Sequence, residues 1–503
     1  MKLIVSNLAA AILLCCLLTI SCQQAAAPKP FGAIPTPQQV KWQRMEMNMF
    51  CHFGPNTFTG EEWGNGKETE DIFNPTAMDC SQWVSIAKEA GFKGIILTAK
   101  HHDGFCLWPN AESRHTVRQS KWREGKGDVL KDLSDACRQQ GVRFGVYISP
   151  WDRNAPSYGT EEYNGVFLRT LQSALSNYGD VFEQWFDGAN GEGPNGKQQA
   201  YDWEAFNTQV LKLQPQAVIF SDVGPGCRWV GNEEGNANET CWSTINTDGC
   251  TPSGPKPIPD TLFTGQRMGS QWVPAETDVS IRPGWFWHQN EHPKSLQLLL
   301  KSYYCSVGRN SLLLLNVPPD SRGLIPQEDS LRLMELRQAL DAIFAHDLAQ
   351  GAKIKASSVR GKAFRPQNLL DTAYNTYWAA SDDINAAQIT LTFPEPRTFN
   401  RLMLQEYIPL GQRVESFYIE YLNKEGDWQP VPRYGGLVKQ DSGKGCHQAT
   451  TIGYKRILPF PTITTTAFRV VLEETLACPV LNRIALYNDT IYKAEAQQPT
   501  ISK

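Results

Sequence analysis

Short apolar runs alternate with amphipathic helical segments between about residues 40 and 348 of the chain. The clearest unit starts with a helix that is predicted to begin at Asp79, with Gln82 three residues later as its capping-box partner. This helix ends at Gly91, and its apolar face comprises Trp83, Ile86, Ala87 and Ala90. A continuous apolar run over 94–98 follows directly, which is typical of a strand buried on both faces of a sheet.

The same unit recurs along the chain. A helix predicted over 128–141 precedes a strand over 143–148, and further strands are predicted over 181–186, 217–220 and 312–316. Polar or aromatic side chains follow the strands, at His52, Lys100 to Asp103, Tyr147 to Trp151, Asp187 and Asp222. Because barrel active sites form at the carboxyl ends of strands, this pattern predicts an α/β protein with a (β/α)8-type barrel. A doubly wound open sheet is the alternative, but the sequence has no glycine-rich phosphate loop.

The pattern changes after a helix predicted over 327–348. Short alternating strands at 388–393, 416–421 and 467–472 predict an antiparallel β-sandwich. The expected organisation is a barrel over 39–350, a sandwich over 351–491 and a tail over 492–503. Residues 224–290, poor in helical pattern and rich in Gly, Pro, Asn and Trp, are expected to form long loops over the barrel mouth.

The N-terminus carries an apolar run from Leu3 to Ile20 that is typical of an export signal. Thr19, Ile20, Ser21 and Cys22 resemble a bacterial lipobox, in which the cysteine is lipidated, and residues 23–38 are expected to form a tether. We therefore expect residues 1–22 to direct export, with Cys22 as the lipid anchor in the periplasm or at the cell surface of a bacterium. A cleaved soluble protein and a retained membrane helix are the alternatives.

Composition narrows the function further. A net charge of -4 argues against nucleic-acid binding, and membrane contact is expected only through the lipid anchor. Three of the 13 cysteines lie in the leader, and the other ten form no C-x-x-C pair. Cys227, Cys241 and Cys250 are close enough in sequence to pair, but most cysteines are expected to be small buried hydrophobes. The 15 Trp permit sugar stacking, although a large core is the simpler explanation for them.

Asp187 is the strongest candidate for a catalytic carboxylate. It follows a strand and precedes a glycine, and Trp185, two residues earlier, is predicted to point to the same side. Glycoside hydrolysis needs a second acid, and Glu233 and Glu234 lie in a loop one unit later. Glu61 and Glu62 form another acidic pair, beside Trp63.

The histidines at 101 and 102 have three interpretations: they bind sugar hydroxyls, ligate a metal, or hydrogen-bond within a loop. Barrel metallohydrolases need ligands from several strands, yet no histidine lies between His115 and His288. We therefore predict no metal and no cofactor, and a metal-dependent barrel hydrolase is the weaker hypothesis.

Taken in order, these features resemble the α-L-fucosidases of glycoside hydrolase family 29 over about residues 40–350. The matching motifs are His52-Phe-Gly54, Glu62-Trp63-Gly64, His101-His102-Asp103-Gly104-Phe105, Tyr147 and Trp185-Phe-Asp187-Gly188. The resemblance implies a retaining mechanism in which Asp187 is the nucleophile. It also implies a fucose pocket formed by His52, Glu62, Trp63, His101, His102, Tyr147 and Trp185.

The second acid lies on less constant sequence. Gly231, Asn232 and Glu233 resemble the branch of the family that acts on α-1,3- and α-1,4-linked fucose, which implies Glu233 as acid/base, with Glu234 in reserve. In a retaining enzyme its carboxyl is expected about 5–5.5 Å from that of Asp187. Trp285 is a further candidate pocket aromatic. The expected substrates are fucosylated oligosaccharides or glycoconjugates, and the alternative is a non-catalytic glycan-binding lipoprotein on a barrel scaffold.

The C-terminal region resembles discoidin-like sandwich domains, some of which bind galactose-type sugars. The resemblance rests on Asn368-Leu-Leu-Asp371 and on Thr376-Tyr-Trp378. It implies a structural calcium near Asp371 as one option, held by backbone carbonyls. The alternative to sugar binding by this domain is a structural role, in which the domain packs on the barrel.

Overall fold

The computed structural model describes residues 25–255, 261–432 and 449–493. Eight parallel strands close into a barrel in the order β1-β10-β9-β6-β5-β4-β3-β2. They are β1 (Met47–Cys51), β2 (Gly94–Lys100), β3 (Arg143–Ile148), β4 (Val181–Trp185), β5 (Val218–Ser221), β6 (Cys227–Trp229), β9 (Ala275–Ser280) and β10 (Ser311–Asn316). The fold class predicted from the sequence, a barrel followed by an antiparallel sandwich, is confirmed.

The helices lie mainly between barrel strands. They are α1 (Pro37–Gln43), α2 (Asn56–Thr59), α3 (Cys80–Ala90), α4 (Val129–Gln140), α5 (Glu162–Ser176), α6 (Trp203–Leu213), α7 (Thr261–Thr264), α8 (Leu296–Ser306) and α9 (Gln327–Phe344). Asp79 caps α3 as predicted, and Gly91 ends it at a φ of 92°. The capping box is not formed, because the Gln82 amide instead exchanges two hydrogen bonds with the backbone of Ile325.

The barrel departs from eight regular strand–helix units between β5 and β9. Only residues 222–226 connect β5 to β6, and a hairpin of β7 (Thr244–Ile245) and β8 (Gln271–Trp272) together with α7 lies between β6 and β9. The loops predicted for 224–290 therefore also contain two barrel strands. The hydropathy pattern did not reveal these two strands. The first, β6, has only three residues, and β9 buries the polar residues Glu276, Thr277 and Asp278.

Two apolar clusters hold the barrel. The larger one packs helices against the outer faces of strands. The smaller one fills the interior with side chains that include Phe50, Tyr147, Trp185 and Phe220, and α1 closes it by adding Trp42. The interior is thus a packed aromatic core, and the strand ends above it are free to carry polar groups.

The sandwich follows α9 and has its own core. Its strands are β11 (Lys353–Ala356), β12 (Trp378–Ala379), β13 (Ala387–Glu406), β14 (Val414–Leu422), β15 (Trp428–Pro430), β16 (Ala449–Thr450), β17 (Arg456–Thr475) and β18 (Val480–Tyr487), and all their pairings are antiparallel. The long strands β13 and β17 pair in register from Ala387 with Leu472 to Leu404 with Arg456, interrupted by two irregularities.

The described part of the expected tether lies against the sandwich. Arg413 donates to the carbonyl of Lys29 at 2.6 Å, and the Phe31 amide donates to the carbonyl of Leu410 at 3.1 Å. The predicted signal and Cys22 lie outside the described residues. Within those residues, every helix is too short or too polar to cross a membrane.

The cysteines of the described residues are all free thiols, so Cys227, Cys241 and Cys250 do not pair. Eight of the nine are buried, and Cys250 is partly exposed. They pack as small apolar side chains, as expected from their scattered spacing.

Candidate active site

The predicted site residues lie at the carboxyl ends of the barrel strands. His52 directly follows β1, His101 and His102 follow β2, and Asp187 lies two residues after β4. Glu233 lies four residues after β6, and Trp285 lies five residues after β9. Parallel strands place these ends on one face of the barrel, so residues more than 200 positions apart in the sequence meet there.

Asp187 is held as a hydrogen-bond acceptor. The Tyr147 hydroxyl donates to its Oδ2 at 3.0 Å, and the Ala189 amide donates to its Oδ1 at 2.7 Å. Burial is the main cause that raises the pKa of Tyr147 well above its ordinary value, so the phenol keeps its proton and remains a donor. Both contacts favour an ionised Asp187 carboxylate, which is the form that can attack carbon.

Burial keeps His52 neutral. Its Nδ1 lies 2.9 Å from Oδ1 of Asn316, the last residue of β10, and Asn316 Nδ2 donates to the Trp285 carbonyl at 2.7 Å. Burial lowers the pKa of His52 to about 3. Since the Asn316 oxygen accepts, Nδ1 carries the ring hydrogen, and Nε2 is left as an acceptor.

His102 is fixed in the same way. Its Nδ1 lies 2.8 Å from Ser149 Oγ, and that hydroxyl donates to the Trp151 carbonyl, so the ring nitrogen is the donor. Burial, followed by the charge of Lys100, lowers the pKa of His102 to about 3. The 3.7 Å contact between its Nε2 and Asp187 Oδ2 therefore joins two acceptors and is not an ion pair. A sugar hydroxyl placed between them could donate to either.

Glu62 and Trp63 form one side of the site. Glu62 accepts from the Trp285 amide at 3.0 Å and lies 2.8 Å from His288 Nε2. The Trp63 side chain is 61 % exposed, and its ring meets that of His102 edge-on at 6.4 Å. Trp63 thus lies at the rim, where it can cover a bound sugar.

The floor of the site is an aromatic stack. The Trp185 ring centroid lies 3.9 Å from that of Phe220 at an interplanar angle of 7°, and the Tyr147 and Phe50 centroids lie 5.2 and 5.3 Å away. His101 stacks on Tyr147 at 5.7 Å, and burial lowers its pKa well below the ordinary value.

Beneath this floor lies the one group of described side chains that could gather round a metal ion, Glu183, Cys227 and Glu276. Trp42 Nε1 donates to Glu183 at 2.7 Å, and Trp185 Nε1 donates to Glu276 at 2.9 Å. Burial raises the pKa of both carboxyls. The indole donors and the raised pKa values fit a buried acid pair that shares protons and fixes Trp185.

Glu233 lies in an exposed loop, and its carboxylate accepts from Trp285 Nε1 at 3.2 Å. Partial burial is the largest cause that raises its pKa, and the charges of Asp187 and Glu62 add to the effect. Glu234 is also exposed, but the cavity that contains Asp187 is lined by Glu233 and not by Glu234. The structure thus brings the first candidate acid, and not the reserve, to the site.

That cavity has a volume of about 370 Å³ and extends from Asp187 and Trp185 towards Asp222, Trp229 and Asp278. Trp229 Nε1 donates to Asp278 at 3.0 Å, and burial raises the Asp278 pKa well above its ordinary value. A depression of about 480 Å³ on the outer face, around α4 and the end of α5, contains none of the site residues.

Sequence reasoning missed the residues that orient the pocket. Asn316 and Ser149 fix the two histidine tautomers, His288 bonds Glu62, and Asp278 bonds Trp229. Asn316 carried a usable signal, because it is the single polar residue that ends an apolar strand at the same face. The contacts of His288 with Glu62 and of Asp278 with Trp229 join distant parts of the sequence, and their formation depends on loop conformations that the sequence pattern does not predict.

Comparison with known proteins matches this geometry to a family. The family model for α-L-fucosidases matches residues 31–342, and the model for F5/8 type C domains matches residues 353–480. The chain belongs to the α-L-fucosidase family.

This α-L-fucosidase resembles known relatives and solved structures along nearly its whole length. It is 43 % identical to alpha-L-fucosidase 1 of Arabidopsis thaliana, over 92 % of this chain and 89 % of the plant protein. The crystal structure of a putative alpha-L-fucosidase from Bacteroides thetaiotaomicron is 37 % identical, with a TM-score of 0.84 over 92 % of this chain and 99 % of that one. A Ruminococcus gnavus family 29 fucosidase solved with fucose is 32 % identical, with a TM-score of 0.83 over 93 % and 97 %.

The prediction of a glycoside hydrolase with α-L-fucosidase activity is confirmed by these matches. Family membership implies fucosylated glycans as substrates. The alternative, a non-catalytic glycan-binding protein on a barrel scaffold, is not favoured.

The calcium that the resemblance to discoidin-like domains suggests near Asp371 stays a prediction. Arg483 Nη1 donates to the carbonyls of Leu370 and Asp371, at 3.1 and 3.0 Å. The Asp371 carboxylate accepts from the Ala373 amide at 3.0 Å. These two carbonyls thus accept from a guanidinium, and we derive no role for a calcium ion.

Proposed function

We propose that the chain is a retaining, exo-acting α-L-fucosidase that releases terminal L-fucose from α-1,3 and α-1,4 linkages. The observation that carries this proposal is that Asp187 and Glu233 line one cavity in complementary states. Asp187 accepts hydrogen bonds from Tyr147 and Ala189, whereas the raised pKa of Glu233 favours its protonated form. A retaining glycosidase needs this combination of a nucleophile and an acid.

In the first step, Asp187 attacks the anomeric carbon while Glu233 gives its proton to the departing glycosidic oxygen. A covalent fucosyl-enzyme forms, and the rest of the glycan leaves with a new hydroxyl. In the second step, the Glu233 carboxylate takes a proton from water, and that water displaces Asp187 to release fucose. Neutral His52 and His102, together with Glu62, offer acceptors to the sugar hydroxyls, and Trp63 and Trp285 offer aromatic faces. Trp185, stacked between Phe220 and Tyr147, lines the cavity floor.

Asp187→Asn should abolish turnover of an aryl α-L-fucoside while leaving thermal stability within a few degrees of the parent. Near-normal activity would refute the assignment of the nucleophile. Asp187→Gly should regain part of its turnover with azide, which enters the vacated space and forms a β-fucosyl azide. Absence of this product would argue against covalent catalysis by Asp187.

Glu233→Gln and Glu234→Gln form a matched pair of neighbouring substitutions. The first should lower kcat/KM on a fucosylated oligosaccharide by about 10²- to 10⁴-fold, because it removes the proton donor. The second should leave activity within about twofold, since Glu234 does not line the cavity. A large loss of activity in Glu234→Gln together with near-normal activity in Glu233→Gln would assign the acid/base role to Glu234.

The linkage preference is tested by measuring fucose released from α-1,2-, α-1,3- and α-1,4-fucosylated oligosaccharides. The proposal rests on the resemblance of Gly231, Asn232 and Glu233 to one branch of the family. We expect fucose to be released from the 1,3- and 1,4-linked substrates. Release from the 1,2-linked substrate alone would overturn the proposed linkage preference.

We also propose that the enzyme is exported and lipid-anchored through Cys22 at a bacterial membrane, on the basis of its leader sequence. Expressed in a bacterium, the Cys22→Ser variant should not incorporate labelled fatty acid and should leave the membrane fraction. Unchanged membrane association of this variant would contradict lipidation at Cys22.

A further inference from the structure

The loop that carries Glu233 runs from the end of β6 towards the C-terminal sandwich. We call residues 230–243 the acid/base loop. Its first half is bonded to the barrel: the Val230 amide donates to the carbonyl of Glu276 at 3.0 Å, and the Gly235 amide to that of Asp278 at 3.2 Å. Between these two points the Asn232 side chain closes a turn by donating to the Asn236 carbonyl at 2.9 Å.

The second half of the loop is bonded to the sandwich. The Cys241 amide donates to Thr451 Oγ1 at 3.0 Å, and the Ser243 amide donates to Gln412 Oε1 at 2.7 Å. The Gln412 side chain also donates to the Cys241 carbonyl at 3.1 Å. Thr451 and Gln412 are almost completely buried, as are both loop residues, so these bonds form away from water.

Two charged side chains connect the halves. Arg309 of the barrel donates to Asn236 Oδ1 at 3.0 Å and to the Ala237 carbonyl at 2.8 Å. Arg456 of the sandwich donates to the Glu239 carbonyl at 3.0 Å. The Glu239 carboxylate lies 3.8 Å from Arg309 and 3.9 Å from Arg456, so barrel and sandwich share one loop residue.

The loop has no helix of its own between β6 and the hairpin to hold its shape. Its course depends on partners supplied by β9, by Arg309 and by the sandwich. A buried backbone donor that loses its partner costs about 1–3 kcal/mol, so removing a sandwich side chain favours a different loop path. A displacement of about 1 Å at a catalytic group can cost about 10²-fold in rate.

We propose that the C-terminal sandwich positions the acid/base loop, with Gln412, Thr451 and Arg456 as positioning residues for Glu233. This inference rests on the proposed function, because it assigns the sandwich a role in the protonation step. The role is separate from sugar binding by the sandwich, because it uses residues that face the barrel.

The test compares two substrates in the Thr451→Val and Gln412→Leu variants of the full chain. An activated aryl α-L-fucoside releases a stable phenolate and needs little protonation, whereas a fucosylated oligosaccharide needs the acid. We expect kcat/KM to fall by about tenfold or more on the oligosaccharide and by less than about twofold on the aryl fucoside. The milder Thr450→Ala variant, which removes a 2.7 Å contact with Thr240, covers the case in which the others fail to fold.

Arg483→Gln is the matched control. It removes another contact between sandwich and barrel domain, a 2.7 Å ion pair with the largely buried Asp347, together with the bonds to the Leu370 and Asp371 carbonyls. These contacts are distant in sequence from the acid/base loop. This variant should lose stability without changing the ratio of kcat/KM between the two substrates. A similar change of that ratio in the control would overturn the proposal.

Azide gives a second readout that lost stability alone does not produce. Azide attacks the fucosyl-enzyme without a base, forming a C–N bond as the bond from carbon to Asp187 breaks, and yields the α-fucosyl azide. It should raise the turnover of the aryl fucoside in the Thr451 and Gln412 variants and not in the control. Equal losses on both substrates without azide rescue would overturn the proposal. Failure of the proposed function would appear separately, as activity retained by Asp187→Asn.

Discussion

Replacing Asn316 with leucine should destabilise the enzyme by about 4 kcal/mol, because four hydrogen bonds of about 1 kcal/mol each are lost. Asn316 accepts from the backbone and ring of His52, at 3.2 and 2.9 Å. It donates to Ser280 Oγ at 2.9 Å and to the Trp285 carbonyl at 2.7 Å. The variant should also raise KM, because His52 loses the partner that fixes its tautomer.

Asn48 provides the comparison within the same barrel. It lies on β1, which pairs with the β10 strand that carries Asn316, and it is fully buried. Neither atom of its amide has a hydrogen-bond partner among the described residues. Leucine has the same branching and the same number of side-chain heavy atoms, and no hydrogen bond is lost, so Asn48→Leu should be neutral or stabilising by about 1–2 kcal/mol.

Urea unfolding followed by tryptophan fluorescence measures both changes from the midpoint and the slope m, and calorimetry checks for a single transition. Equal destabilisation by the two substitutions would refute the reasoning. It would mean that side-chain volume, and not hydrogen bonding, determines the cost at these positions.

Three further predictions follow from the site. Trp285→Phe removes the hydrogen-bond donor that lowers the Glu233 pKa, so Glu233 should stay protonated to higher pH. The basic limb of the kcat/KM profile should therefore move to higher pH, and a shift to lower pH would contradict this. Glu276→Gln keeps a hydrogen-bond acceptor for Trp185 Nε1 and should preserve KM. Glu276→Leu leaves that indole N–H without its acceptor and should raise KM several-fold. Equal KM values in the two variants would disprove the positioning of Trp185 by Glu276. EDTA should leave activity unchanged, because Asp187 and Glu233 need no metal in the proposed steps, and a loss restored by added metal would favour the metal-dependent hypothesis.

The sequence predicted the elements whose signal is local. The helix that begins at Cys80 has its cap and its terminal glycine next to it, and the strand over 143–148 is a continuous run with a clear end. Strands β6 and β9 were missed because one is very short and the other buries polar side chains that serve the site.

The site residues likewise fall into those that the sequence pattern predicted and those that it did not. Asp187 and the histidines after β2 were recognisable because their strand positions already place them at the active face. The partners that fix their protonation and orientation, such as Asn316 and Ser149, depend on which strands become neighbours in the closed barrel. The contacts of Gln412 depend on how the sandwich docks, which no local pattern encodes.

The neutral histidines have a consequence for the sugar as it reacts. Bond cleavage at the anomeric centre passes through an oxocarbenium-like state, which carries positive charge on the ring. Because burial keeps His52, His101 and His102 uncharged, these three side chains place no imidazolium beside that ring, while Asp187 contributes a negative charge. The same side chains that accept hydroxyl hydrogens from the ground-state sugar therefore do not repel the developing cation. A ring analogue that carries a permanent positive charge should for the same reason bind more tightly than fucose itself.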